Sequence, residues 1–291
     1  MIKAKVQIFI AIIALFFVSC NSQTPEKTET KDKTPTKVVT KYTELKTIIS
    51  KEVDDTFYVY VRLPKHYKTE TKSYPVLYLL DGDIAFDMST SIIRYLQYEK
   101  DVPDIIIIGI GYGTMMNDNN LNFRERDYAF TKIPQLKNSG GADNYLKFLR
   151  NELIPFVEKN YRANDNRILE GYSLGGLFSI YTMLKENDLF TSYIAGSPYL
   201  KANLDSLLTL TKKLKVLNNK FFMSVGETED NENFHFPIEK FYKSISRISK
   251  NKKNILVANI PNHKMERISV RLDTTNGWVP AARCEAACLS G

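Results

Sequence analysis

Two uninterrupted apolar runs constrain this chain most. Tyr74 to Leu80 stops at Asp81-Gly82-Asp83, and Ile105 to Ile110 stops at Gly111-Tyr112-Gly113. A strand with one wet face alternates apolar and polar residues. A run without that alternation, ending in glycine, suits a strand buried on both faces of a parallel sheet. An earlier segment, Thr56 to Pro64, does alternate and reads as a half-buried strand. Further strands are predicted at 167–173, 193–197, 220–225 and 254–260. Helical spacing is predicted over Ala142–Lys159, Leu174–Lys185 and Phe236–Ile248. Strand and helix thus alternate along most of the chain, which predicts an α/β fold with a mostly parallel, doubly wound sheet.

In such sheets chemistry collects at the carboxyl ends of the strands. One strand end carries Gly171-Tyr172-Ser173-Leu174-Gly175, the G-x-S-x-G pattern of a serine on a sharp strand-to-helix turn. The turn lifts the serine hydroxyl clear of the sheet and leaves the Leu174 N–H free to meet a substrate oxygen. A serine needs a base, and the base needs a third group to fix its tautomer. The three histidines are His66, His235 and His263. In this type of site the acid and then the base follow the serine in the chain, which excludes His66. His235 opens a predicted helix, whereas His263 stands in the loop after the last predicted strand and is the expected base. The acid should follow the strand 220–225, where Glu227, Glu229, Asp230 and Glu232 are all candidates; Glu229 is preferred. A second oxyanion donor is expected in the loop after Tyr74–Leu80, with the Asp83 N–H as the candidate.

Several blocks occur in a familiar order. They are YPVLYLLDG at 74–82, Arg126-Asp127-Tyr128, Gly140-Gly141-Ala142-Asp143, Glu152-Leu153-Ile154-Pro155, Asn160-Tyr161-Arg162, GYSLGGL at 171–177, Phe190 and Ser197-Pro198. Together they resemble the putative-esterase family of α/β hydrolases. That family includes enterobactin and related siderophore esterases, S-formylglutathione hydrolase, feruloyl esterases and mycolyl transferases. The resemblance covers about residues 42–265. It implies an α/β-hydrolase fold, Ser173 as nucleophile, an acid best matched by Glu229, His263 as base and N–H donors at Asp83 and Leu174. It implies a small-molecule ester substrate and neither metal nor organic cofactor. Tyr172 stands where many relatives have histidine, and Glu170 is a charge in a strand usually more apolar.

Three function classes remain open at this point: a serine esterase, an acyltransferase on the same fold, and a non-catalytic surface lipoprotein that binds a ligand. The Asn-rich segment from Tyr112 to Phe130 is expected either to line the substrate pocket or to pack on the domain. Its Arg124 and Arg126 are expected to pair with Asp127 or Glu125 rather than with an anionic substrate.

Both termini differ from this core. Lys3 and Lys5 precede an apolar run from Val6 to Val18, which is shorter than the roughly 20 residues a membrane span needs. With Phe17-Val18-Ser19-Cys20 it reads as a lipoprotein signal over residues 1–19. The expectation is an exported bacterial lipoprotein, acylated at Cys20 and held at a membrane facing the periplasm or cell surface. Residues 20–41 are rich in Lys, Thr, Glu and Pro and read as a disordered tether. Residues 1–41 hold seven lysines against three acids, so more than half of the net charge of +7 sits on this leader. A nucleic-acid binder concentrates positive charge on a folded face, so that class is set aside. Residues 266–291 contain no lysine but carry Cys284, Cys288 and the only tryptophan. They read as an atypical tail, foreign to the esterase domain of residues 42–265.

Overall fold

A computed structural model describes residues 40–114 and 123–260, together with the backbone of Val270–Asp273 and Gly277–Pro280. The signal segment, Cys20, the tether to residue 39, His263 and the rest of the tail lie outside the described residues.

The described strands are β1 Thr43–Ser50, β2 Asp55–Arg62, β3 Tyr74–Leu79, β4 Ile106–Gly111, β5 Ala163–Tyr172, β6 Ser192–Gly196, β7 Lys220–Gly226 and β8 Ile255–Ile260. They form one sheet in the order β1-β2-β4-β3-β5-β6-β7-β8. β1 and β2 pair antiparallel, and β2 pairs antiparallel with β4. Every pairing from β4 onward is parallel. The backbone segments β9 Val270–Asp273 and β10 Gly277–Pro280 form a separate antiparallel pair.

The helices are α1 Gly82–Tyr98, α2 Phe123–Tyr128, α3 Ala142–Phe148, α4 Ile154–Asn160, α5 Leu174–Lys185, α6 Leu204–Lys213 and α7 Phe236–Ile245. They cover both faces of the sheet. On one face Phe86, Ile93 and Leu96 of α1 pack on Leu77, Ile107 and Ile168. On the other, Tyr145, Phe148, Leu177, Phe178 and Phe241 pack on Val76, Tyr78, Ile108, Leu169 and Met223. The two apolar runs end up where their composition requires: every residue of β4 is buried. α5 is buried from Leu174 to Leu184, which explains why its sequence is apolar all round rather than striped.

The single helix expected over 142–159 is instead two helices joined by a π-turn at Leu149–Leu153. Pro155 follows at the start of α4. Its missing N–H removes one i→i−4 bond, and a wider turn there accommodates the loss. Asp81-Gly82-Asp83, expected as a loop, instead opens α1: Asp81 sits at the N-cap and Asp83 in the first turn.

Candidate active site

β5 ends at Tyr172 and α5 begins at Leu174, so the entire reversal falls on Ser173. Ser173 adopts φ 55° and ψ −113°. A non-glycine residue held there costs about 1–3 kcal/mol, so the surroundings must enforce it. The Ser173 N–H donates to the Gly196 carbonyl at 2.9 Å, and its own carbonyl accepts from Leu177 N–H at 3.0 Å and Tyr199 N–H at 3.1 Å. The close crossing of strand and helix explains the glycines. A Cβ on Gly171 would lie 2.4 Å from the Gly175 carbonyl carbon and oxygen. Ser173 itself is half-buried, beside a Tyr172 that is 60% exposed. The Leu174 N–H is at the first position of α5, where no intrahelical acceptor exists.

The turn expected to carry the second donor lies at the end of β3. Asp81 takes a left-handed conformation, φ 56° and ψ 40°. Its carbonyl accepts from Ile84 and Ala85 N–H at 3.1 and 2.9 Å, which starts α1. The adjacent Gly82 presses against β4; a Cβ there would sit 2.7 Å from Gly109 C and Ile110 N. The Asp83 N–H, in the first turn of α1, takes no acceptor among the described residues. The Asp83 carboxylate has a job the sequence did not suggest. It accepts from Tyr112 N–H at 2.6 Å, Gly113 N–H at 3.0 Å and Tyr60 hydroxyl at 2.7 Å, tying the chain after β4 to α1.

The segment after β4 packs on the domain through α2. Arg126 bonds Asp127 at 2.7 and 3.0 Å and Asp55 at 2.7 Å, so the expected pairing with Asp127 holds. Tyr112 donates to the buried Asp127 at 3.0 Å and stacks on Phe123. Arg124 departs from expectation. It pairs with Asp81, through Nε at 2.6 Å and Nη2 at 3.1 Å. Burial opposes the Arg124 charge, but the adjacent Asp81 carboxylate outweighs it and holds the guanidinium above its ordinary pKa. Residues 115–122 of this segment lie outside the described residues.

The four acid candidates separate by environment. Asp230 is occupied as a cap, its carboxylate accepting from Asn233 N–H at 2.7 Å. Glu227 and Glu232 are exposed. Glu229 is the half-buried one, folded back in a turn whose N–H reaches the Gly226 carbonyl at 3.1 Å. Its carboxylate lies 3.4 Å from the Tyr172 hydroxyl, which donates to it from the residue before Ser173. β8 ends beside this loop, with Ile260 paired to Gly226 and its carbonyl accepting from Glu227 N–H at 2.8 Å. His263 follows three residues later, outside the described residues. His235 is at the N-cap of α7, half-buried.

Glu170 stands on β5 between Leu79 and Ile194, on the same side of the strand as the buried Ile168. Desolvation pushes its carboxyl from 4.5 up to about 7. The folded protein therefore holds a proton that the unfolded chain has lost between pH 4.5 and about 7. Stability from this group is highest below that window and falls as pH rises through it, by up to about 3 kcal/mol. Glu170→Gln is expected to raise stability by about 2 kcal/mol at pH 8 and leave it nearly unchanged at pH 4.5. Urea melts at the two pH values check this; an unchanged difference between them contradicts it.

A strand order of 1-2-4-3-5-6-7-8 with a serine on the turn after β5 defines an α/β hydrolase. The family profile described as "Putative esterase" matches residues 50–269, and the chain belongs to that family. It is similar to the ferri-bacillibactin esterase BesA of Bacillus subtilis, with 30% identity over 211 residues covering 64% of this chain and 71% of the relative. It is similar to a siderophore enterobactin esterase of Emericella nidulans, with 30% identity over 159 residues covering 49% of this chain and 52% of the relative. Among solved structures, an IroE-like serine hydrolase from Shewanella oneidensis superposes with a TM-score of 0.64 at 25% identity, covering 76% of this chain and 74% of that one. The chain is accordingly an ester hydrolase.

Proposed function

We propose that the chain is a serine esterase whose substrate is a siderophore ester. The observation that carries the catalytic part is Ser173 at φ 55°, half-buried at the strand end and directly preceding the Leu174 N–H at the start of α5. Ser173 Oγ attacks the ester carbonyl and passes its proton to His263. The carbonyl oxygen gathers negative charge and is met by the N–H groups of Leu174 and Asp83, each worth roughly 3–4 kcal/mol in the transition state. Glu229 accepts from the other imidazole nitrogen and stabilises the imidazolium. The alcohol leaves with the proton from His263, giving an acyl-Ser173 intermediate. Water then attacks with His263 as base, releasing the acid and restoring the serine.

The names of the similar proteins favour a siderophore as the ester. The exposed Tyr172 beside the nucleophile supports an aromatic acyl group, which could lie against its ring. Lipid at Cys20 would hold the enzyme at a membrane, on the exported side, where such substrates arrive. The test is an ester panel with a ferric triscatecholate trilactone, a feruloylated sugar and p-nitrophenyl butyrate, with an added alcohol as acceptor. The expected result is hydrolysis of the trilactone with kcat/KM at least about tenfold above that of the feruloyl ester. Acyl transfer to the alcohol in place of hydrolysis identifies an acyltransferase instead. Tight trilactone binding without turnover identifies a binding protein.

A further inference from the structure

The two N–H groups proposed for the oxyanion sit on different elements, Asp83 on α1 and Leu174 on α5. Their spacing must hold to within about half an ångström for both to reach one oxygen. Neither turn is rigid by sequence alone, since Asp81 and Ser173 are both non-glycine residues at positive φ. One side chain touches both. Arg124 grips the Asp81 carboxylate through Nε and Nη2, and the same Nη2 donates to the Tyr172 carbonyl at 3.4 Å. Its guanidinium also lies over the Tyr128 ring at 5.8 Å, and the Tyr128 hydroxyl accepts the Asp81 N–H at 3.2 Å. The side chains are 16% exposed for Arg124 and 6% for Asp81, so water does not loosen the pair much.

We infer that Arg124 is a positioning residue for the oxyanion site, a strut from α2 that fixes the turn carrying Asp83 against the turn carrying Leu174. It acts through these two turns and does not itself meet the substrate. Lysine cannot replace it, because one ammonium cannot offer the planar fork that spans a carboxylate and a carbonyl together. The inference rests on the serine-esterase reading above.

The test uses the full chain and three variants: Arg124→Met, Arg124→Lys and the double variant Asp81→Asn/Arg124→Met. The double variant removes the buried charge that the single variant would strand, so it keeps the test open if Arg124→Met does not fold. With p-nitrophenyl butyrate, kcat is expected to fall about 10- to 100-fold in Arg124→Met and in the double variant, with KM within about threefold. Affinity for butaneboronic acid, which mimics the tetrahedral adduct, is expected to fall in parallel with kcat, and Arg124→Lys to recover only part of the loss. Amide exchange is expected to quicken in both 80–86 and 170–176 and to stay unchanged in β7. An unchanged kcat, a rise in KM alone, or faster exchange in only one of the two segments overturns the proposal. If the wild type hydrolyses no ester and Ser173 resists a fluorophosphonate, the esterase reading fails, and the exchange comparison still decides whether Arg124 is the strut.

Discussion

Ser173→Ala is expected to lower kcat/KM for p-nitrophenyl butyrate by a factor of about 10⁴ to 10⁶, with the fold intact. The size follows from what the hydroxyl does. Without it no acyl-enzyme forms, and what remains is the uncatalysed attack of water helped by two N–H donors. The fold survives because the contacts that hold the turn belong to the Ser173 backbone: its N–H on Gly196 and its carbonyl on Leu177 and Tyr199. An alanine keeps all three and carries the same Cβ at φ 55°. Steady-state kinetics and a thermal melt on the same preparation check both halves. Activity within tenfold of wild type would remove Ser173 from the mechanism.

With Glu229 as the proposed triad acid, Glu229→Gln is expected to lower kcat by about 10³- to 10⁴-fold, because an amide in that role favours the wrong histidine tautomer and gives no charge to the imidazolium. The contrast with its neighbour is what makes the experiment specific. Asp230 is committed to capping the turn at Asn231–His235 through Asn233 N–H. Asp230→Asn is therefore expected to leave kcat within about threefold and to cost at most about 1 kcal/mol of stability, since asparagine also caps. The reverse pattern, with Asp230→Asn inactive and Glu229→Gln active, would move the triad acid by one residue. The choice between the two was open in the sequence, where four acids crowd six positions. In the structure Glu229 is half-buried while Asp230 accepts from Asn233 N–H, and the two substitutions decide between them.

The sheet was legible wherever burial on both faces left an uninterrupted apolar run. β3 and β4 fall within a residue of their predicted ends, and so does β7. β1 was not legible. Thr43–Ser50 is an edge strand, much of it exposed, and its pairing with β2 defines it more than its composition does. The start of α1 was misread because Asp81-Gly82-Asp83 has the chemistry of a turn. It is a turn and a helix start at once, with Asp81 left-handed and Gly82 pressed on β4. The sharp turn at Ser173 was legible because its glycines are forced by a backbone crossing local in sequence. Arg124 and Asp81 lie 43 positions apart, and nothing in the composition of either segment pairs them. Glu170 was conspicuous as a charge in a strand usually more apolar. Only the folded register shows that it stands among apolar neighbours, where its proton costs less than its charge.

The central claim is that Ser173 is an activated nucleophile. Treating the folded protein with a fluorophosphonate, quenching in acid and mapping the adduct by mass spectrometry tests it directly. The expected result is a single phosphonyl adduct on the peptide that carries Ser173, absent from Ser173→Ala and from heat-denatured protein. Folded protein that takes no adduct, or takes it on another residue, contradicts the claim.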